Sequence, residues 1–267
     1  MDNRPIGIYD SGIGGLTGLK ALRRLLPEED PVFFADTGRM PYGPRPQEEL
    51  CRIARQDMDF LASCGVKAIL AACGTISSAA HTVLEAYPVP ACGVLYPAVE
   101  AMAALPGEKP LAVIATAASI ASGQFTEPLC ARCPGREIIG LACPEFAPMI
   151  EHGHIDRSDP VLTDAVERAL APLRGKALDA VLLGCTHYGI IEDTIRDYLG
   201  DVPLLSAADC GARALRDRLV RDGLCADRET GTAHFFVSCE TAHFDAFASK
   251  YLDLGPVRAV ELAPMEL

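Results

Sequence analysis

The sequence predicts an α/β fold: two pseudo-symmetric, doubly wound parallel-sheet domains facing one another across a shared crevice. Three observations carry this. Short apolar runs alternate with longer amphipathic stretches along the whole chain. Several of those runs, such as Val66 to Ala72, are apolar throughout, as strands covered on both faces of a parallel sheet are. And Ala68-Ile-Leu-Ala-Ala-Cys73-Gly-Thr75 is echoed by Ala180-Val-Leu-Leu-Gly-Cys185-Thr-His187, with the two cysteines 112 residues apart (185 − 73).

The elements follow in order. Ile6 to Tyr9 reads as a strand, and Leu16 to Leu26 as a helix with apolar residues at 16, 19, 22, 25 and 26 before Pro27 ends it. Val32 to Ala35 is a second strand. Gln47 to Ala62 is a helix, with Glu48 and Glu49 in the first turn, where the helix dipole favours them. The strand Val66 to Ala72 comes next, then a helix over Ser77 to Ala86 and a strand over Pro90 to Leu95. The second half repeats the pattern: strand Leu111 to Ala115, helix Ser119 to Cys130, strand Glu137 to Leu141, helix Asp159 to Leu173 with Pro160 at its start, and strand Ala180 to Gly184. Thr194 to Leu199, Val202 to Leu205, Ala208 to Asp222, Ala233 to Val237 and Thr241 to Leu252 carry the alternation onward. In such sheets, ligands sit at the carboxyl ends of the strands.

Composition narrows the function. Apolar residues are 49% of the 267, enough for a core. Lys and Arg number 24 against 36 Asp and Glu, a net charge of −12, which disfavours a sequence-independent grip on nucleic acid or an anionic membrane. Met1-Asp-Asn-Arg-Pro-Ile6 has no apolar stretch behind a basic flank, and no window approaches the roughly 18 apolar residues of a membrane span, so a cytoplasmic protein is expected. Eleven cysteines in such a chain are reduced thiols, most of them small buried hydrophobes.

Cys73 and Cys185 are the exceptions. Each directly follows a buried strand, where a crevice forms, and a helix starting behind such a thiol lowers its pKa. Two buried strand-end cysteines remain the plain alternative for either one, but the repeated Cys and Thr context argues against it for the pair. Asp10-Ser-Gly-Ile-Gly-Gly15 follows the first strand. Position 17 is Thr and no G-K-[ST] lysine is present, so neither the dinucleotide fingerprint nor the P-loop is met. The glycines read as a tight turn exposing Asp10, Ser11 and backbone N–H groups to a small anion. Asp36-Thr-Gly-Arg-Met-Pro-Tyr-Gly43 reads as a loop over a ligand, with Tyr42 and Gly43 supplying hydrogen bonds, or else as a simple Pro-Gly turn. His187 beside Cys185 can polarise the thiol or be structural. Cys130-x-x-Cys133, with Cys143 and His152 or His154 downstream, lacks a second matching pair, so incidental thiols are preferred to a metal site and none is expected.

Together these pieces resemble the glutamate racemase family, within the aspartate/glutamate racemase superfamily. The likeness is carried by Gly7 to Leu16, Ala35 to Gly43, the Cys73 strand, Cys143-Pro-Glu-Phe-Ala-Pro-Met-Ile-Glu151 and Leu183 to His187, five motifs in the family's order. It implies two facing domains: 1–95 plus 207–267, carrying Asp10 and Cys73, and an inserted 96–206, carrying Cys185 and His187. It implies racemisation of L-glutamate to D-glutamate without cofactor or metal, for peptidoglycan synthesis. Cys73 and Cys185 would be the acid/base pair, with Asp10 assisting Cys73, and His187 with Glu151 assisting Cys185. Asp10, Ser11, Tyr42, Gly43, Gly74, Thr75, Thr186 and His187 would hold the amino acid. Family members are often homodimers, a possibility with no face identifiable here. The family usually has Cys-Asn-Thr where this chain has Cys73-Gly74-Thr75. A lost charge-assisted hydrogen bond costs roughly 1.5–3 kcal/mol, a ten- to hundredfold effect unless a neighbour such as Ser77 replaces it. Ser119 also stands where the family often has Thr. The competing readings are a racemase of the same mechanism acting on aspartate or another amino acid, and a non-catalytic amino-acid-binding regulator. A cysteine hydrolase would leave the second Cys-Thr motif unexplained.

Overall fold

The computed structural model describes residues 1–262. The expected first domain runs to 267, and its last five residues lie outside the described ones. Among the described residues, ten strands form two sheets: β1 (Ile6–Asp10), β2 (Pro31–Ala35), β3 (Ala68–Ala71), β4 (Ala91–Gly93), β5 (Leu111–Ala115), β6 (Ile138–Ala142), β7 (Ala180–Leu183), β8 (Leu204–Ser206), β9 (His234–Val237) and β10 (Val260–Glu261). The first sheet has the order β10-β9-β2-β1-β3-β4 and the second β6-β5-β7-β8, and every pairing is parallel. The chain thus forms two parallel-sheet α/β domains. Their strand orders β2-β1-β3-β4 and β6-β5-β7-β8 are the same pattern, so β3 and β7 hold equivalent places. This is the internal echo of the sequence, expressed as topology.

The strands β1, β2 and β3 of the first sheet are buried on both faces, which their continuous apolar runs require. Ile8, Phe33 and Leu70 point into one core, while their chain neighbours Tyr9, Phe34 and Ile69 point into another. The second of these cores is closed by the helix Gln47–Ser63 through Leu50, Ile53, Ala54, Met58 and Leu61, which share one face. The first extends without interruption to Val113 of β5 and Leu182 of β7, through Leu95, Val99 and Leu215. A fully buried Leu or Ile contributes about 1.5–3 kcal/mol. A layer built of many such residues therefore fixes how the two sheets sit against each other.

Most expected elements are present, and the departures have local causes. The helix expected over Ser77 to Ala86 is two, Gly74–Ala79 and His81–Glu85. The one over Ser119 to Cys130 is also two, Ala117–Ala121 and Thr126–Arg132, parted near Gly123, whose φ is +68°. The strand expected to reach Leu95 stops at Gly93, and a helix, Leu95–Ala103, follows. Pro97 hides that helix in the sequence, yet a first turn tolerates proline. Phe146–Glu151, with Pro148, is a second unexpected helix, and β10 an unexpected strand. Asp159 caps Pro160–Leu170 as its position suggests, Oδ1 accepting from Val161 N–H at 2.9 Å. No helix among the described residues is long and apolar enough to cross a membrane.

Candidate active site

Equivalent strands end in the two cysteines. Cys73 follows β3, and Cys185 follows β7. The two turns approach backbone to backbone: a Cβ on Gly74 would lie 3.0 Å from the Gly184 carbonyl oxygen. Between them is a cavity of about 510 Å³. All the residues singled out from the sequence line it: Asp10, Ser11, Tyr42, Gly43, Cys73, Gly74, Thr75, Glu151, Cys185, Thr186 and His187.

On the first wall, Asp10 is fully buried at the end of β1. Its Oδ1 accepts from Ser11 N–H at 2.6 Å and Ser11 Oγ–H at 3.1 Å, and its Oδ2 from Thr186 Oγ1–H at 2.9 Å. Burial raises the Asp10 pKa, and His187 together with these donors offsets only part of that rise. Cys73 precedes the helix Gly74–Ala79, which starts three residues before the helix expected from Ser77 and so meets the condition for acidification. The expected lowering of its pKa does not follow. Burial pushes the Cys73 thiol well above the ordinary range, and the neighbouring Asp10 charge adds to this. The backbone N–H groups of Ile76 and Thr75 pull the other way and lose. Ser77 is also no substitute for a missing side chain at 74. Its hydroxyl donates to Ala71 O at 3.0 Å and accepts from Val94 N–H at 2.9 Å, tying β3 to β4 outside the cavity.

On the second wall, His187 Nδ1 lies 3.7 Å from Cys185 Sγ and its Nε2 2.6 Å from Glu151 Oε1. Burial works against a charge on His187. Its hydrogen bonds to Cys185 and Glu151, with their negative charge, outweigh that and hold its pKa well above the ordinary imidazole value. Cys73 thus has the Asp10 carboxyl group beside it, and Cys185 the His187 ring.

The glycines after Asp10 have another role than the exposed turn expected of them. None of Gly12, Gly14 and Gly15 has a positive φ. A Cβ on Gly12 would lie 2.5 Å from Glu151 Oε1, and one on Gly14 would lie 2.4 Å from His187 Nδ1. They are small because the second domain's catalytic candidates occupy the space. Gly14→Ala is therefore expected to push His187 off Cys185, costing about 1–3 kcal/mol of stability by overpacking. Turnover should fall at least about tenfold, the worth of one misplaced acid/base partner. A thermal melt together with an activity assay checks this; wild-type turnover in the variant would show that the contact is not needed.

The loop after β2 covers the cavity, but Tyr42 does not offer its hydroxyl to it. That O–H donates to Asp36 Oδ2 at 2.5 Å and lies 3.2 Å from Asp57 Oδ2. Arg39 joins the same buried group through Nε to Asp36 and an NH2 nitrogen to Asp57, each at 2.5 Å. What Tyr42 and Gly43 present to a ligand is backbone and ring. Thr116 to Ser119, Pro144 and His152 also line the cavity; the sequence reading names Ser119, Pro144 and His152 in other connections but assigns none of these residues to the substrate site. Thr116 directly follows β5, the counterpart of β1 in the second sheet, so the strand-end rule that selected Asp10 would have found it. Its Oγ1 donates to Ser119 Oγ at 2.9 Å. Among the described residues, no three His, Cys, Asp or Glu side chains gather as metal ligands; Cys130 is exposed at the end of its helix.

Residues 19–215 match the family model described as Asp/Glu/Hydantoin racemase. The chain belongs to this racemase family. A glutamate racemase from Levilactobacillus brevis is 37% identical over 271 residues, covering 100% of this chain and 98% of that protein. Among solved structures, a glutamate racemase isoform from Bacillus anthracis superposes with a TM-score of 0.90 at 30% identity, covering 98% of each chain. The glutamate racemase from Francisella tularensis, solved in complex with D-glutamate, gives 0.86 at 31%, again over 98% of each. The resemblance read from five motifs holds over the full length, and these racemases share both the sequence and the two-sheet fold.

Proposed function

We propose that this chain interconverts L- and D-glutamate, with Cys73 and Cys185 as the two acid/base groups. The observation that carries the reading is the pair of sulfurs at equivalent strand ends, one from each domain, on one cavity. The full-length likeness to glutamate racemases supports the substrate. Inverting a stereocentre by proton transfer needs a base on one face and an acid on the other. One thiolate takes the α-proton; the C–H electrons pass into the α-carboxylate as a carbanion; the opposite thiol then gives its proton to the other face. The cysteines have exchanged protonation states, and charge is conserved. Asp10 serves Cys73, and His187 with Glu151 serves Cys185. Ser11, Tyr42, Gly43, Gly74 and Thr75 bind the amino acid, and oriented N–H groups in the closed site stabilise the developing charge without a cofactor.

The same reading divides the chain into 1–95 plus 207–267 and 96–206, and places the enzyme in the cytoplasm, supplying D-glutamate for peptidoglycan, as a homodimer. The test is exchange: in deuterated water, purified protein should replace the α-hydrogen of L-glutamate and abolish its circular dichroism at equal rates. No exchange with glutamate refutes it. A second reading, another acidic amino acid, is favoured by Gly74, where the Gly184 carbonyl leaves no room for a side chain without adjustment. The same assay over a panel of L-amino acids separates the two.

The pH dependence follows from the thiols. Catalysis needs one of the pair ionised, and burial holds Cys73 above the ordinary thiol range. Below that range the ionised fraction rises about tenfold per pH unit. So kcat/KM should climb toward alkaline pH. Because the equilibrium constant between enantiomers is unity, the profiles for L- and D-glutamate must coincide. A profile flat from about pH 6 to about pH 9 would count against a thiolate base.

A further inference from the structure

Each cysteine's partner is held by the opposite domain. Glu151, which pairs with His187, accepts from Ile13 N–H at 3.3 Å, in the loop after Asp10. Asp10, which sits beside Cys73, accepts from the hydroxyl of Thr186, next to Cys185, at 2.9 Å. Thr186 is 4% exposed and is itself fixed. Thr17 Oγ1 lies 3.2 Å from the Thr186 carbonyl oxygen while donating to Gly14 O at 2.8 Å, and Thr186 Oγ1 fills the space a Cβ on Gly14 would occupy, 2.7 Å away. A threonine hydroxyl has one proton to donate. Here that proton is committed to Asp10.

We propose that Thr186 is a positioning residue for Asp10: its side chain does not bind the carboxylate of the amino acid but orients Asp10 from across the domain boundary, so that proton transfer at Cys73 depends on the closed arrangement of the two domains. This rests on the two-cysteine reading above and sharpens it. Asp10 is fully buried, and two of its three donor contacts come from adjacent Ser11 on one oxygen. Oδ2 has Thr186 as its donor among the described residues. Remove that hydroxyl, and Oδ2 is a buried acceptor with nothing to hold it toward Cys73. The α-carboxylate of a ligand needs donors, which the Thr186 hydroxyl can no longer supply. Only its lone pairs remain, suited to an ammonium.

The experiment compares Thr186→Val, which keeps the shape, with Thr186→Ala and Thr186→Ser. All three are assayed with L- and D-glutamate carrying hydrogen or deuterium at the α-carbon. Wild-type α-exchange is the prior condition; its absence refutes the two-cysteine reading and not this inference. Loss of the hydroxyl should lower kcat about ten- to hundredfold, the worth of one hydrogen bond to a charged group, with KM within about twofold. Ser should restore most of the rate. The decisive signature is asymmetry. Slowing only the Cys73 transfers raises the substrate isotope effect for the enantiomer that Cys73 deprotonates. It lowers the effect for the other, whose slow step becomes reprotonation. A rise in KM at unchanged kcat, or isotope effects that move alike for both enantiomers, overturns the proposal. If Val does not yield folded protein, Ala without the asymmetry overturns it equally.

Discussion

Cys73→Ala is expected to lower racemisation in both directions by about 10²–10⁴-fold, the usual worth of a positioned acid/base group. Cys185→Ala should do the same. The double variant should be little worse than either single one, because in the proposed mechanism each passage through the carbanion uses both sulfurs and groups that act as a unit are not additive. Circular dichroism of L- and D-glutamate under each variant measures this. The single variants should still fold. The Cys73 side chain is small, and its removal leaves a void lined partly by the cavity itself. A Cys73→Ala protein retaining a tenth of wild-type turnover would remove the two-cysteine mechanism. A double variant far slower than both singles would argue instead for two independent routes.

The fold was legible because hydrophobic pattern and topology are local-to-regional properties. A strand buried on both faces must be apolar throughout, and β1, β2, β3, β5 and β7 are buried along their whole lengths. Leu95–Ala103 and Phe146–Glu151 were not legible, since each carries a proline that reads as a breaker unless its place in the first turns is known. The site was legible as a set of strand ends. Its protonation was not. From sequence, a helix start behind Cys73 would acidify it; the start is present, yet burial and Asp10 reverse the sign. Desolvation depends on everything within several ångströms in space, which no motif encodes. Ser77 fails as a stand-in for the same reason: its partner Val94 is 17 residues away in sequence. The role of Gly12 and Gly14 likewise lies in residues 139 and 173 positions downstream, Glu151 (151 − 12) and His187 (187 − 14), that fill the space beside them.

The second large effect is on stability, and it comes from beneath Tyr42. Arg39 is the one cation placed between Asp36 and Asp57 among the described partners of these two fully buried carboxylates. Burial raises the Asp57 pKa well above the ordinary carboxylate value, and the charge on Asp36 raises it further, while Arg39 draws it back. Arg39→Met keeps the length of the stem and removes the charge. It should cost about 3–5 kcal/mol, the penalty for leaving buried charge unpaired, and lower Tm by about 6–20 °C for a chain of this size. Asp57→Asn should cost far less, because a neutral side chain resembles the protonated form that burial already favours. The sign of the pH dependence decides between charge and lost packing. A carboxyl group whose folded pKa lies above its unfolded value binds more protons folded than unfolded in the interval between the two, so stability falls as pH rises through it. Without the guanidinium, Asp57 lies further above its unfolded value. The deficit of Arg39→Met should then grow as pH rises above the ordinary carboxylate range and shrink as pH falls back toward it, whereas a loss due to packing alone would not change with pH. Because the same residues hold Tyr42 over the cavity, KM for glutamate should rise in step with that deficit across the pH range.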